Sequence, residues 1–288
     1  MYNTISQLIS ASREKPMHEV IIDDEMALTG VPRGDVYLRM HTSFSVMQKS
    51  ALKALDTPQH MTPPLIKGQS SLQHKYADGA TLCGKEVNEM MAMALSASEV
   101  NASMGRICAA PTAGSCGILP AVITTAAKKL GSNKNEIAEA LIVASGIGAV
   151  IMRNATVSGA EGGCQAECGA AAAMAAAACV YLSHGTPQMC AEAVSIALIN
   201  CMGLVCDPVA GLVQLPCSFR NASQSANALS SADMALAGQT CPIPADEVIE
   251  AMFRVGHALP SSLRETAEGG IAATQTGKKI SAEFFAAK

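Results

Sequence analysis

Residues 169–182, GAAAAMAAAACVYL, constrain the fold of this chain more than any other part of its sequence. Alanine fills most of the stretch, and because an alanine side chain loses no rotamer freedom on ordering, the stretch predicts an α-helix. That helix is apolar on every side, which is typical of a helix enclosed at the centre of a large fold. We therefore expect closely packed, alanine-rich helices at the centre of the protein.

The rest of the chain has the same helical character. Alanine accounts for about one residue in six, well above average usage, and no long stretch alternates polar and apolar residues as a half-buried strand does. We predict an all-α fold, a compact multi-helix domain over residues 1–288 with buried alanine-rich central helices. Helical segments are expected within residues 1–55, and the later helices at 86–102, 119–130, 135–153, 165–182, 187–204, 222–236 and 244–258, the last of which should end the regular structure.

Segment 56–79 predicts a long loop within this domain. It is polar and contains Pro58, Pro63 and Pro64, which oppose a regular helix. Long loops inside compact domains are often functional.

Composition argues against several classes of function. A net charge of −4 gives no basic surface for DNA or RNA, and aromatic residues, at 3 % with no Trp, offer few stacking platforms for bases. The apolar run 137–152 contains Glu139, and residues 169–182 are too few to cross a bilayer, so a transporter remains only an alternative. The N-terminal residues lack a signal-peptide pattern. We expect a cytoplasmic protein that binds neither nucleic acid nor membrane, with its 11 cysteines reduced.

Three of the cysteines lie at turns marked by glycine or proline. Cys164 follows GAEGG, Cys206 precedes Asp-Pro, and Cys217 follows Pro216. A cubane iron–sulfur cluster takes four ligands, so three thiolates would leave one iron open for Lewis-acid chemistry. The spacing leaves other hypotheses open: a fourth ligand at Cys168, a zinc site, or buried thiols with a structural role.

Polar turns between the predicted helices supply further candidates, at 110–117, 154–164 and 206–221. They place hydroxyl, amide and backbone N–H groups near helix starts, where a carboxylate can bind. The substrate-binding candidates are Thr112, Gly114, Ser115, Asn154, Ser158, Gln165, Arg220 and Asn221. Arg220 could instead form a structural ion pair with Asp207. The candidates for a catalytic base are Glu161, His18 and His41.

Three motifs resemble the α chain of iron–sulfur-dependent L-serine dehydratase (L-serine ammonia-lyase). They are GRICAAPTAGSCGILPAV, NATVSGAEGGCQAECGAAAAMAAA and CDPVAGLVQLPCSFRNA, and the similarity extends over most of the chain from about residue 88. The resemblance implies that Cys164, Cys206 and Cys217 hold a [4Fe–4S] cluster; it does not extend to Cys168 as a ligand.

The same resemblance implies a catalytic domain, a lyase that converts L-serine to pyruvate and ammonia. The open iron would act as a Lewis acid on the substrate's hydroxyl and carboxylate. It also implies a role in amino-acid degradation and gluconeogenesis, with a separate β chain, a homo-oligomer or both.

Two other functions stay open at this point. The same chemistry could act on L-cysteine or L-threonine, because one methyl group in a pocket discriminates only modestly. The chain could also be a non-catalytic iron–sulfur electron-transfer protein. We do not expect pyridoxal phosphate, because no lysine lies between Lys134 and Lys278, the region that holds most of the polar turns.

Overall fold

The computed structural model describes residues 2–286, and every regular element in that range is helical, which confirms the all-α prediction. The α-helices are α1 (Ile5–Ala11), α2 (Met17–Thr29), α3 (Arg33–Lys53), α4 (Gln69–Tyr76), α5 (Gly84–Ala102), α6 (Ile118–Leu130), α7 (Lys134–Asn154), α8 (Gly159–Gly162), α9 (Ala170–Leu182), α10 (Pro187–Asn200), α11 (Cys217–Leu236), α12 (Ala245–Ala258) and α13 (Gln275–Ala286). A π-helical turn, Gln165–Gly169, leads directly into α9.

Helix α9 is the central helix, as the alanine-rich sequence predicts. All of its residues except Tyr181 are buried, and it packs against α6, α7, α10 and α11. A Cβ atom at Gly148 of α7 would lie 2.9 Å from the sulfur of Met174 on α9. Because so little space separates these helices, their small side chains are what allows the centre to close.

Local sequence signals set several helix ends correctly. Asn133 and Glu136 form a capping box at the start of α7, and the hydroxyl of Thr186 accepts from the Met189 amide at the start of α10. Gly131, at φ 69°, ends α6 in the left-handed conformation.

Helix α4 contradicts the prediction of an unbroken loop over residues 56–79. It lacks an apolar face, but Ser70 donates from Oγ to the Ala92 carbonyl and from its backbone N to Glu99 Oε1. These bonds to α5 stabilise a helix that intrinsic propensity does not predict, because tertiary contacts override weak local preferences.

Three other boundaries were also predicted wrongly. Helix α10 ends at Asn200 rather than at residue 204, and Gly203 follows at φ 84°. Helix α11 starts at Cys217, five residues before the predicted start, since the turn ends at Pro216. Helix α13 lies beyond the expected end of regular structure and packs tightly: a Cβ at Gly277 would lie 2.5 Å from the Ile271 carbonyl oxygen.

Two helical segments are long and apolar enough to cross a membrane, Lys134–Asn154 and Gln165–Leu182. Within the fold, 61 % and 94 % of their most apolar windows are buried. Both are core helices of this structure.

Candidate functional site

Four cysteine thiols meet at the start of the central helix. Cys164 lies between α8 and the π-helical turn, Cys206 lies in the segment after α10, and Cys217 is the first residue of α11. The sulfurs of Cys164 and Cys168 are 3.5 Å apart, Cys206 hydrogen-bonds Cys164, and Cys217 lies close enough to sense the charge of Cys164. All four are buried. The three predicted ligands are therefore brought together, with Cys168 beside them.

The surroundings shift the pKa values of the thiols in opposite directions. The pKa of Cys164 is held well below its usual range, because Cys168 and Cys206 hydrogen-bond its sulfur and the Arg220 guanidinium adds positive charge. The hydrogen bond with Cys164 raises the pKa of Cys206, and burial raises the pKa of Cys217. These surroundings therefore favour the ionised form of Cys164.

The π-helical turn sets the direction of two of these side chains. Such a turn accommodates one extra residue relative to an α-helix, and π-turns are frequent at functional sites. Here it contains Glu167 and Cys168, both buried. The turn orients both side chains toward the thiol group at the helix start.

Glu167 is the functional candidate that sequence analysis missed. Its Oε2 lies 3.9 Å from the sulfur of Cys206, and Thr112 hydrogen-bonds its carboxyl group. Burial, followed by the negative charge of Cys164, raises the pKa of Glu167 to about 7. Its signal in the sequence was the only acidic residue between Cys164 and Cys168.

Gly159 and Gly114 have no side chains, and this makes room for the carboxyl group of Glu167. A Cβ at Gly159 would lie 2.6 Å from Oε2 of Glu167 and 3.1 Å from the sulfur of Cys206. A Cβ at Gly114 would lie 3.2 Å from Oε1. Gly114, a predicted substrate-binding residue, thus lies directly against this carboxyl group.

Arg220 forms the structural ion pair that the sequence left as an alternative. It donates from Nη2 to Asp207 Oδ1 at 2.8 Å and from Nη1 to the Val205 carbonyl at 2.7 Å. Oδ2 of Asp207 also accepts from the Ile271 amide at 2.8 Å. Arg220 still reaches the sulfur of Cys164 with a hydrogen bond, so it both fixes the site and adds charge to it.

Two of the predicted substrate-binding amides are occupied by structural hydrogen bonds. Asn221 accepts from the Gly117 amide at 2.8 Å and donates to the Gly114 and Cys217 carbonyls at 2.7 and 2.8 Å. Gln165 donates to the Gly162 and Met252 carbonyls and accepts from the Gly203 amide. With both N–H donors used in each case, these side chains hold the turns together.

The hydroxyl candidates differ in position. Thr112 Oγ1 lies 3.2 Å from Ser115 Oγ, and Thr112 also contacts Glu167, so the 110–117 turn faces the thiol group. Ser158 is half-buried before α8, and its amide donates to Thr156 Oγ1. Asn154 lies elsewhere, donating to the Asn3 and Val150 carbonyls.

The three candidate bases lie outside the thiol group. Glu161 is exposed and accepts from Thr156 at 2.5 Å. Nδ1 of His18 lies 2.5 Å from the hydroxyl of Tyr181. Tyr181 itself lies about 20 Å beyond Cys168 along the helix, at roughly 1.5 Å per residue. His41 lies on α3 against the ring of Tyr37.

A segment after α12 covers Cys206 and has no signal in the sequence. The Cys206 amide donates to the Leu263 carbonyl at 2.9 Å, and the Glu265 amide donates to the Cys206 carbonyl at 2.7 Å. Glu265 has a φ of 65°, and its carboxylate helps to raise the pKa of Glu167. Backbone pairing of this kind depends on long-range contacts rather than on residue type.

Buried cysteine thiols are the donor groups that the site offers to a metal ion or to a cluster. Within residues 2–286, no three His, Cys, Asp or Glu side chains already converge on one point tightly enough to hold one metal ion. A cubane spreads its irons over separate thiolates. Beside Cys217, the buried Ser218 Oγ has no hydrogen-bond partner, and Gly159 keeps one side of the Cys206 sulfur free of side chains. The residues present fit a cluster held by thiolates.

Fold and site together define an all-α protein with a buried, thiol-rich centre at the start of an alanine-rich helix. The family model "Serine dehydratase alpha chain" matches residues 12–272, and the chain belongs to this family.

Two α-chain relatives match this chain over almost its full length, and a third relative matches part of it. The chain is 42 % identical over 287 residues to the probable L-serine dehydratase, alpha chain, of Bacillus subtilis (strain 168), covering 99 % of this chain and 96 % of the relative. It is 44 % identical over 288 residues to the L-serine dehydratase, alpha chain, of Peptoniphilus asaccharolyticus, covering 99 % of both. L-serine dehydratase TdcG of Escherichia coli (strain K12) is 44 % identical over 181 residues, which are 62 % of this chain and 40 % of that relative.

Proposed function

We propose that this chain is the catalytic α chain of an L-serine ammonia-lyase that carries a [4Fe–4S] cluster on Cys164, Cys206 and Cys217. Family membership supports an enzyme of the lyase kind that dehydrates serine. One observation supports the cluster and its ligands: these three thiols, from three separate segments, meet beside the buried carboxyl group of Glu167.

When bound, the cluster would supply a Lewis acid at the iron without a protein ligand, making the substrate hydroxyl a better leaving group. Cys164 is prepared for ligation, because its neighbours already stabilise the thiolate. Arg220 lies on the helix that Cys217 begins, and it bonds to Asp207 and to the Val205 carbonyl on either side of Cys206. These bonds hold Cys206 in place relative to Cys217.

The turn 110–117 and Glu167 are the proposed substrate contacts. Thr112 and Gly114 lie against the carboxyl group of Glu167, on the side of the site that leads into α6. Backbone N–H groups at a helix start suit the substrate carboxylate, and the carboxyl group of Glu167, in its ionised form, suits the ammonium group. The segment that covers Cys206 helps to exclude water from the reacting atoms.

Two substrate alternatives remain within the same chemistry, L-cysteine and L-threonine. Neither changes the roles proposed for the thiols or for Glu167. A comparison of turnover on the three amino acids with the same purified preparation separates them.

We further propose a cytoplasmic enzyme of amino-acid degradation that works with a separate β chain. The β-chain partner is supported by the words "alpha chain" in the names of relatives that this chain covers almost completely. Co-purification of a tagged α chain with its β chain, measured by mass photometry, tests the partnership; a purely homomeric, fully active enzyme would overturn it.

Cysteine replacement tests the ligand set. Replacing Cys164, Cys206 or Cys217 by serine should abolish the visible absorbance that appears when the purified chain is reconstituted anaerobically with iron and sulfide. Cys190→Ser is the matched control, because Cys190 is fully buried within α10. Retention of a full cluster in any of the three variants contradicts the ligand set.

A further inference from the structure

One buried thiol at the site, that of Cys168, has no role in the proposed function. The proposed cluster ligands are Cys164, Cys206 and Cys217, yet the sulfur of Cys168 lies 3.5 Å from that of Cys164, which places the two sulfurs in van der Waals contact. Cys168 is completely buried within the π-helical turn. A second thiol held against a ligand thiol points to chemistry between the two sulfurs.

The sulfurs of Cys164 and Cys168 are close to bonding distance. A disulfide has an S–S distance of about 2.05 Å, so the two sulfurs need to approach each other by about 1.5 Å. Residues four apart lie on the same side of a helical turn. Small rotations of the two side chains about χ1 therefore bring the sulfurs toward each other.

The other thiols near Cys164 are held by bonds of their own. Cys206 also hydrogen-bonds Cys164, but its backbone amide and carbonyl are both bonded to the segment after α12. The sulfur of Cys201 donates to two carbonyls of α10 at 3.3 Å. Cys168, in the same helical turn as Cys164, is therefore the partner that needs the least rearrangement.

We propose that Cys168 is a resolving thiol, which joins Cys164 in a disulfide when a peroxide oxidises Cys164 before the cluster is inserted. The sulfur of Cys164 attacks one oxygen of hydrogen peroxide, the O–O bond breaks and water leaves, so Cys164 becomes a sulfenic acid. The sulfur of Cys168 then attacks that of Cys164, and the hydroxyl group leaves with the thiol proton as a second water. Two thiols are oxidised, and one peroxide is reduced to two molecules of water.

This disulfide protects Cys164 as a cluster ligand. A sulfenic acid that meets no thiol oxidises further to sulfinic and sulfonic acids, which thiol reductants do not reverse. A dithiol reverses a disulfide by exchange, and Cys164 is then available again. Hydrogen peroxide is smaller than L-serine, so a site that admits the substrate also admits the oxidant. This access, and the benefit to the cluster, rest on the proposed function.

Peptide mapping of the oxidised chain tests the disulfide. The full chain, reduced and freed of iron with a chelator, is treated with hydrogen peroxide, alkylated in denaturant and cleaved after glutamate. Cleavage after Glu161, Glu167 and Glu192 places Cys164 in peptide 162–167 and Cys168 in peptide 168–192. We expect these two peptides to be joined until a reductant is added. A free thiol or a sulfinic acid at Cys164, or its linkage to the peptide that contains Cys206, overturns the proposal.

Two cysteines of peptide 168–192 give a matched pair of variants. Cys168→Ala should lose the linkage and carry sulfinic or sulfonic acid at Cys164. Cys179→Ala should keep the linkage, because Cys179 is buried in α9, about 16 Å along the helix from Cys168 at roughly 1.5 Å per residue. A linkage that persists in Cys168→Ala, or one that is lost in Cys179→Ala, contradicts the assignment of Cys168. The mapping of the natural chain decides the question even if a variant fails to fold.

Cluster uptake after oxidation tests the protective role. Peroxide followed by dithiothreitol and anaerobic reconstitution should restore the cluster absorbance of the natural chain, and at least about twofold less of it in Cys168→Ala, because sulfinic and sulfonic acids resist the reductant. Equal recovery in the two proteins overturns this role. If the chain takes up no cluster even without peroxide, the proposed function fails, whereas the peptide mapping still tests the disulfide.

Discussion

Arg220 and Asp207 form a buried ion pair, with Nη2 of the arginine 2.8 Å from Oδ1 of the aspartate. Their side chains are only 15 % and 4 % exposed. Asp207 directly follows Cys206, and Arg220 lies three residues after Cys217, so this one pair joins two of the proposed cluster ligands. The geometry of the thiol group therefore depends on a charge pair that itself contains no ligand.

Removing one partner of this pair should destabilise the protein strongly. Asp207→Ala leaves the guanidinium buried without its carboxylate and the Ile271 amide without its acceptor. We expect a loss of about 3–5 kcal/mol in the free energy of unfolding, measured with urea. Glu250→Ala is the control, because it breaks an exposed pair with Arg254 and should cost no more than about 1 kcal/mol. Equal effects of the two substitutions contradict the structural role.

Cys168 separates two hypotheses for the thiol group. If three thiolates hold the cluster, Cys168→Ala should keep the cluster absorbance and lose less than about tenfold in turnover, since alanine fills most of the same buried space. A fully ligated electron-transfer protein predicts loss of the cluster instead. Iron content and absorbance of the reconstituted variant, compared with those of Cys164→Ala, decide between them.

Gly159 should tolerate no side chain. In Gly159→Ala the new methyl group would lie 2.6 Å from Oε2 of Glu167, and a contact this short forces the carboxyl group to move. We expect turnover to fall by about a hundredfold or more, because an ångström of misplacement is enough for such a loss. Gly34→Ala, on α3, meets no atom within 4 Å and should leave turnover unchanged. An active Gly159→Ala enzyme argues against the placement of Glu167.

Glu167 itself is tested by an isosteric change. Glu167→Gln keeps the shape and removes the negative charge that we assign to the substrate's ammonium group. The Michaelis constant for L-serine should rise by about tenfold or more, while the reconstituted chain keeps its cluster absorbance. A variant with an unchanged Michaelis constant, or one that no longer assembles a cluster, shows that Glu167 serves the site in another way.

The sequence predicts most of the fold because the alanine-rich helix and the capping residues act locally. Capping by Asn133 and the glycine at 131 place helix ends within a residue or so. Helix α4 and the segment that covers Cys206 escape prediction, since hydrogen bonds between distant residues form them.

For the site, the resemblance of motifs selects the three cysteines, and the structure brings them together. The structure also shows the hydrogen bonds that two of the predicted substrate-binding residues make. Asn221 and Gln165 resemble substrate ligands in the sequence, yet their amides bond to backbone groups that the turns leave unpaired. Glu167 was missed because its position depends on a π-helical turn and on two distant glycines.

We propose that the thiol group makes this chain a serine-deaminating enzyme. The most direct test is a pyruvate assay with L-serine on the anaerobically reconstituted chain, with and without its β chain. We predict serine-dependent pyruvate and ammonia in equal amounts, and no product from the Cys217→Ser variant. A fully loaded cluster in the assembled complex that yields neither a 2-oxo acid nor ammonia from L-serine, L-threonine or L-cysteine would contradict this function.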